Sequence, residues 1–585
     1  MNIKQLRSHA WFSGLGRDTF VHRAYIKSEG FGEHVFDGRP VIGICNSWSE
    51  LTNCNVHLRQ VAEAVKRGVL QAGGLPLEFP TISLGEVLMK PTSMMYRNLM
   101  AMDVEEMIRA NPIDGVVLLS GCDKTTPAQL MGAVSADVPA IMVTGGPMLT
   151  ARWRGGELGS GTDAFRLWDA VRSGELSEEE FLEVENHFAR SAGHCMVMGT
   201  ASTMAAMAEA MGMTLPGCTS IPAADSRRLA IAEASGREVV SMVQADTFPS
   251  KVITGQALEN AIRVDMAIGG STNAVVHLLA LAGRLGLPLA LEDFDRLSQS
   301  TPCIVNLKPS GDRYMEDLHY AGGIPAVMHE IADLLHLDVL TVNGKSLGEN
   351  IAQAEVFDHE VIRRRDSPLF TQGGTVVLRG NLAPNGAVLK QTAASEHLLN
   401  HRGQAVVFHN RADMYARIDS ADLPVTEDSV LVLQHAGPLG GPGMPEWGNL
   451  PVPEKLLSAG IKDVVRISDG RMSGTAFGTV VLHIAPEAAI GGPLAHVQDG
   501  DLISLDVSNR RLDLEIEETE FARRRSKWKP DEPHYVRGYG RLFLDHVLQA
   551  DMGCDFDFLV DSVPKDKRDD AAYFAGLGRR EPNRN

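Results

Sequence analysis

Between residues 40 and 146, short apolar runs alternate with segments whose apolar positions recur every three to four residues. "PVIGIC" (40–45) is apolar throughout and predicts a buried strand, and the next segment sets Leu58, Val61, Val65 and Val69 on one helical stripe. "LPLEFPTIS" (75–83) predicts a second strand whose prolines make its ends irregular, followed by a helix over "SMMYRNLMAMDVEEMIRA" (93–110). "DGVVLLS" (114–120) is a third strand and "PAIMVTGG" (139–146) a fourth, with a helix between them starting at Pro127, where a missing N–H does no harm. Repeated β-α units predict an α/β domain with a doubly wound, mostly parallel sheet. Ligands of such sheets bind beyond the carboxyl ends of the strands. The loops after the first three strands carry Cys54, Glu86 and the triplet Cys122-Asp123-Lys124, so these groups are expected to meet at one sheet edge.

The middle of the chain reads as helical. "SEEEFLEVENHFARSAGHC" leads to Cys195, and "GTASTMAAMAEAMGM" is so rich in Ala, Met and Gly that it predicts a tightly packed helix. In "GGSTNAVVHLLALAGRLG" (269–286), Ser271, Thr272 and Asn273 stand where a helix starts and read as its N-cap. After about residue 370 the period changes. "GTVVLRG", "QAVVFHN", "SVLVLQH", "DVVRIS", "GTVVLHIA", "DLISLDV" and "RLDLEIE" are short β-type runs separated by Gly, Pro, Asn and Asp. They predict a second, C-terminal β-barrel-like domain over 371–585, joined to an α/β domain over 1–370 through "RRRDSPLFTQGG". No internal repeat or low-complexity tract interrupts this pattern.

Length and charge narrow the function. A chain of 585 residues exceeds one small core and predicts at least two domains. Its 55 basic and 74 acidic residues give a net charge of -19, a field that repels phosphate backbones and anionic membranes, so neither nucleic acid nor a membrane is an expected partner. The N-terminus shows no apolar signal region and no run approaches the ~20 apolar residues of a membrane span, which predicts a cytoplasmic protein. Seven cysteines without regular spacing make no disulfide framework.

Free cysteines are most often small buried hydrophobes, and Cys45, Cys218, Cys303 and Cys554 are read so. Cys54, Cys122 and Cys195 each sit in a loop of small polar residues beside a predicted helix start, where backbone N–H groups favour a thiolate. Three such loops suggest a shared soft metal, either a three-thiolate zinc site or an iron–sulfur cluster with one iron position left open. Glu86, Asp123 and Glu446, the last in the rigid "GPGMPEWGN" turn, are oxygen donors of the kind that hold Mg²⁺; each taken alone is an ordinary turn carboxylate. Lys124 is an ion-pair partner, an anion clamp or, if desolvated, a Schiff-base lysine. Ser473 in "RISDGRMSGTAFGTVV" lacks the G-x-S-x-G context of a hydrolase nucleophile, which leaves a plain turn serine or one deprotonated beside a divalent cation. An NAD-dependent dehydrogenase is a competing class, but it would need G-x-G-x-x-G between the first strand and helix, and "ICNSWSELTNCN" has no glycine there. A non-catalytic iron–sulfur sensor stays open, and it would need no Ser473.

"GCDKTTPAQLMGA" and "SDGRMSGTAFG" resemble the two signature segments of the dihydroxy-acid and phosphogluconate dehydratase family, which includes sugar-acid (aldonate) dehydratases. "NSWSELTNCNVHL", "PTSMMYRNL", "SAGHCMVMGTASTM", "GGSTNAVVHLLALAG" and "GTVVLRGNLAPNGAVLK" resemble it too, so the likeness covers nearly the whole chain. The resemblance implies a 2Fe–2S cluster on Cys54, Cys122 and Cys195, and Mg²⁺ held by Glu86, Asp123, Glu446 and a carbamylated Lys124. It further implies Ser473 as the catalytic base in alkoxide form, with Thr475 beside it in the substrate site. The implied fold is an α/β domain followed by a β-barrel, the implied assembly a homodimer or homotetramer. The implied reaction converts a 2,3-dihydroxy acid to a 2-keto-3-deoxy acid and water. Thr475 and "PTSMMYRN" resemble the arabinonate and xylonate dehydratases more than the dihydroxy-acid dehydratase of branched-chain amino acid synthesis, which is the alternative. Val87, Leu88 and Met89 predict a more apolar pocket that admits shorter acids, and the lack of a basic cluster disfavours a phosphorylated substrate.

Overall fold

The computed structural model describes residues 6–560. Its first sheet holds four parallel strands, β1 (Val41–Asn46), β2 (Leu75–Pro80), β3 (Gly115–Ser120) and β4 (Ala140–Thr144), in the order β2-β1-β3-β4. β1, β3 and β4 are buried at every position, which is why they read as unbroken apolar runs. The order reverses between β1 and β3. A crevice therefore opens at their carboxyl ends, where the chains leave in opposite directions.

Helix α1 (Leu58–Gln71) follows β1, α2 (Arg97–Ala110) follows β2, and α3 (Thr125–Ala136) links β3 to β4. α3 starts two residues before Pro127, and a 3-10 turn over Ser93–Tyr96 precedes α2. α4 (Thr200–Ala210) is buried at every position, as its small-residue composition predicts. α5 (Arg227–Ala245) packs on α1 through two facing glycines: a Cβ on Gly68 would lie 1.9 Å from the Glu233 carbonyl, and one on Gly236 2.2 Å from that of Val65. Backbones this close leave no room for a side chain. α6 (Asn273–Leu285) packs against α3 and α4.

The second sheet has eight strands: β5 (Thr375–Leu378), β6 (Gly386–Lys390), β7 (Asn400–Phe408), β8 (Val430–Leu433), β9 (Val465–Ser468), β10 (Val480–Ala485), β11 (Leu502–Asp506) and β12 (Arg511–Leu514). All seven predicted runs are strands, and β6 is an eighth. The order is β12-β11-β7-β8-β9-β10-β6-β5, parallel from β7 to β10 and antiparallel elsewhere. The two edges nearly close on each other: Arg379 N donates to Arg510 O and Leu512 N to Arg379 O, both at 2.9 Å. Alternate residues from every strand, among them Val376, Leu389, Ala405, Val432, Ile467, Val481, Ile503 and Leu512, gather in the barrel interior. The opposite faces of β5, β6 and β10, through Val377, Val388, Val480 and Leu482, join the core of the first sheet. That shared core sets the barrel's loops against the β1/β3 crevice.

The end of the described chain is tied down by a fully buried ion pair, Arg284 Nε to Asp555 Oδ2 at 2.7 Å and Nη2 to Oδ1 at 3.1 Å. Removing one partner strands a buried charge. Arg284→Met is expected to cost about 3–5 kcal/mol in denaturant unfolding, and Arg284→Met/Asp555→Leu to recover most of it. Among the described residues no helix is long and apolar enough to cross a membrane.

Candidate active site

The loop after β1 and the loop after β3 are laced together at the crevice. Asn55 is fully buried and accepts from Cys122 N at 3.1 Å, while its amide donates to Ser47 O at 3.0 Å and Ser83 Oγ at 2.9 Å. A Cβ on Gly121 would meet the Cys54 carbonyl at 2.2 Å. Gly121→Ala is therefore expected to push the two loops apart at a strain of about 1–3 kcal/mol, read as lower stability in denaturant unfolding while far-ultraviolet circular dichroism stays unchanged. The segment carrying Cys195 lies along the chain leaving β4, with His194 N donating to Gly146 O at 3.0 Å and Met148 N to His194 O at 2.8 Å.

These contacts bring the three predicted thiols together. Cys54 and Cys122 are buried and Cys195 is half-buried. Cys54 shares a side-chain hydrogen bond with Cys122, which with burial and the nearby Cys195 and Asp123 pushes its thiol well above the ordinary value. Burial, reinforced by Cys122, Asp123 and Glu446, pushes the Cys195 thiol up to about 11. His57 and His194 flank the group and are driven down to about 4, chiefly by burial, so both rings are neutral. The other four cysteines are buried, as expected.

Beside the thiols lies a buried cluster of carboxylates. Lys124, with no exposed side-chain surface, places Nζ 2.5 Å from Asp123 Oδ2, 3.3 Å from Glu86 Oε2 and 3.3 Å from Glu446 Oε1. Burial and Arg471 oppose the lysine's charge, yet Asp123, Glu86 and Glu446 outweigh them and hold the ammonium above its ordinary pKa. Burial would raise the Glu86 carboxyl, but Lys124, Arg471, Ser93 and Thr92 bring it down to about 2. Glu446 goes the other way: burial raises it, and Lys124 and Arg471 only partly offset this. Thr92 and Ser93 orient Glu86, with Thr92 Oγ1 2.8 Å from Oε1 and Ser93 N 3.1 Å from Oε2. Val87 and Leu88 are 74% and 64% exposed and do not form the apolar pocket wall read from the sequence; only Met89 packs inward.

Two residues that contact the carboxylate cluster escaped the sequence reading. Arg471 is fully buried and donates to Glu446 Oε1 at 3.1 Å, Thr92 Oγ1 at 3.2 Å and Met444 O at 2.7 Å. Its signal was a cation inside a run of Gly and Ser between two apolar strands. Thr272, the N-cap of α6, makes no side-chain cap hydrogen bond, Ser271 Oγ accepts from Asn273 N at 3.2 Å, and Asn273 turns its own side chain elsewhere. Its amide donates to Thr200 Oγ1 at 2.9 Å, Met472 O at 3.1 Å and Glu446 Oε1 at 3.2 Å, and its Oδ1 is buried with no partner among the described residues.

Ser473 is half-buried, its Oγ 2.9 Å from Thr475 Oγ1 and 3.3 Å from Thr475 N. The turn is pressed against the start of α4: a Cβ on Gly474 would lie 2.6 Å from Thr200 N, and one on Gly199 2.9 Å from Thr475 Cγ2. The amino ends of α3, α4 and α6, at Lys124, Gly199 and Thr272, thus converge on one region. Their dipoles favour anions there, a substrate carboxylate or a serine alkoxide included. The donor sets fit two kinds of cation, three soft sulfurs for iron or zinc and three hard carboxylates for Mg²⁺.

Comparison with known proteins agrees with this division. Residues 39–350 match the model of the dihydroxy-acid/6-phosphogluconate dehydratase N-terminal region, and residues 360–554 that of the C-terminal region. The chain is 54% identical to L-arabinonate dehydratase of Rhizobium leguminosarum bv. trifolii, over 95% of this chain and 96% of the relative. It is 55% identical to L-arabonate dehydratase of Azospirillum brasilense, over 95% and 97%. It is 48% identical to 6-deoxy-6-sulfo-D-gluconate dehydratase of Pseudomonas putida, over 96% and 98%. The chain belongs to the dihydroxy-acid/6-phosphogluconate dehydratase family and is a hydro-lyase.

Proposed function

We propose that the protein converts an aldonic acid to its 2-keto-3-deoxy acid and water, using a 2Fe–2S cluster on Cys54, Cys122 and Cys195 and a Mg²⁺ ion. The family is metal-dependent. The observation that carries this reading is the buried Lys124 ammonium, standing among Asp123, Glu86 and Glu446 at the point where a cation belongs, with the thiols on one side. Carbamylation of Lys124 makes it a fourth oxygen ligand. Exchange of the ammonium for a carbamate plus a divalent cation leaves the net charge of the cluster unchanged, so the same walls accommodate both states.

The chain's own groups divide the work. Ser473 Oγ accepts the C2 proton, and the amino end of α4 stabilises its alkoxide. Thr475, hydrogen-bonded to Ser473, orients it, and the free Asn273 Oδ1 is an acceptor for a substrate hydroxyl. Arg471 holds Glu446 in place. Lewis acidity toward the departing 3-hydroxyl and stabilisation of charge at C2 and the carboxylate are what a cluster and Mg²⁺ supply when bound.

The aldonic-acid preference rests on the named relatives, which act on L-arabinonate, L-arabonate and a sulfonated gluconate. The same reading makes the first sheet doubly wound, divides the chain into domains near residue 370, and places the protein in the cytoplasm. It also makes the protein a homo-oligomer, which the exposed Leu51, Val87 and Leu88 in the loops after β1 and β2 support. The test is anaerobic purification followed by a panel of pentonic, hexonic and short branched dihydroxy acids, scored for 2-keto acid. Release from pentonates or hexonates is expected. Release from the branched acids alone would transfer the assignment to the branched-chain enzyme, and no release at all would remove it.

A further inference from the structure

We propose that His409, His435 and Asp531 form a second metal site, specific for a divalent cation of the zinc class, that clamps the segment around Asp531 onto the loop carrying Glu446. The two histidines step off the carboxyl ends of neighbouring parallel strands, since β7 and β8 pair Phe408 with Leu433. Asp531 reaches them from the connection between the helices Glu518–Arg525 and Gly538–His546. His435 Nδ1 lies 3.1 Å and His409 Nε2 4.0 Å from Asp531 Oδ2, and the three donor atoms all fall within 4.8 Å of one another. A tetrahedral centre with zinc–ligand bonds near 2.0–2.1 Å spaces its donors roughly 3.4 Å apart. The observed separations bracket that value, so small side-chain movements complete the triangle.

The donor set decides the cation. Two imidazoles and one carboxylate favour zinc-class ions over Mg²⁺ or Ca²⁺, which prefer all-oxygen shells. His435 is buried and none of the three residues belongs to the chemistry proposed for Ser473. The site opens on a cavity of about 680 Å³ lined by Arg411, Tyr415, Trp447 and His534, which leaves a fourth position to water or to His534. Trp447 follows Glu446, and Pro91, on the same wall, precedes the Thr92 that orients Glu86. A cation here fixes the outer side of both carboxylate-bearing loops.

The experiment uses the full-length, untagged protein with its cluster loaded and Mg²⁺ saturating, dialysed against Zn²⁺ with bound metal counted. The parent is expected to hold one more Zn²⁺ per chain than His435→Gln. His409→Gln, whose ring is exposed, is expected to weaken uptake at least about tenfold and to decide the matter should His435→Gln misfold. Both variants should keep the cluster's visible absorption. Zn²⁺ should slow amide exchange over residues 531–535 in the parent only. Equal uptake by parent and His409→Gln, or exchange indifferent to Zn²⁺, would overturn the site and leave His435 and Asp531 as a polar contact without a metal.

Discussion

Ser473→Ala enzyme is expected to keep the visible absorption of the proposed iron–sulfur cluster and to lose turnover by about 10³-fold. The hydroxyl oxygen accepts from Thr475 N at 3.3 Å, but the turn is also held by contacts that do not involve it: Gly474 is seated against Thr200 and Ser271, and the Thr162 hydroxyl donates to the Thr475 carbonyl at 2.6 Å. Deleting Oγ should therefore spare the turn and the neighbouring Cys195 loop. What it removes is the proton acceptor. Because the C2 proton of a 2-hydroxy acid is weakly acidic and its removal needs that acceptor, KM should change little while kcat falls. A sensor that merely binds iron would show the parent's behaviour in every assay.

Mg²⁺ binding is expected to depend on carbon dioxide. In the metal-free chain the Lys124 ammonium satisfies three carboxylates at 2.5, 3.3 and 3.3 Å, and a divalent cation cannot enter beside it without repulsion. Conversion of the amine to a carbamate removes the resident cation and adds a ligand in one step. Enzyme stripped of metal and kept in CO2-free buffer should bind Mg²⁺ at least about tenfold more weakly than enzyme supplied with bicarbonate. Lys124→Arg should bind it poorly in both, because the guanidinium stays cationic. Calorimetric titration reads the difference.

The parts of this molecule that were legible in the chain share a physical cause. β1, β3 and β4 are buried on both faces and so announce themselves as apolar runs, and so do β5, β8, β9 and β10 of the barrel, buried at every position, while β11 and β12 alternate because only one face lines the interior. β6 was missed as a strand because Gly386 and Ala387 carry little β signal and "NLAPN" before it reads as a turn. Cys54, Glu86 and the triplet were placed by counting strand ends. Arg471 and Asn273 were not, since their roles depend on partners that no local pattern encodes: Asn273 reaches Glu446 across 173 positions, and Arg471 reaches Thr92 across 379. Val87 and Leu88 mislead for the opposite reason, being apolar yet outward-facing.

The central claim is that sulfur-bound iron and an oxygen-bound divalent ion share one pocket, with Asp123 and Lys124 adjacent to Cys122 in the chain and in space. Mn²⁺ substituted for Mg²⁺ tests it, because a reduced 2Fe–2S cluster is paramagnetic and relaxes a nearby Mn²⁺ spin. Electron paramagnetic resonance should show faster Mn²⁺ relaxation when the cluster is reduced, and no such change in Cys122→Ser. A Mn²⁺ signal identical in the oxidised and reduced enzyme would place the two metals apart and contradict the account.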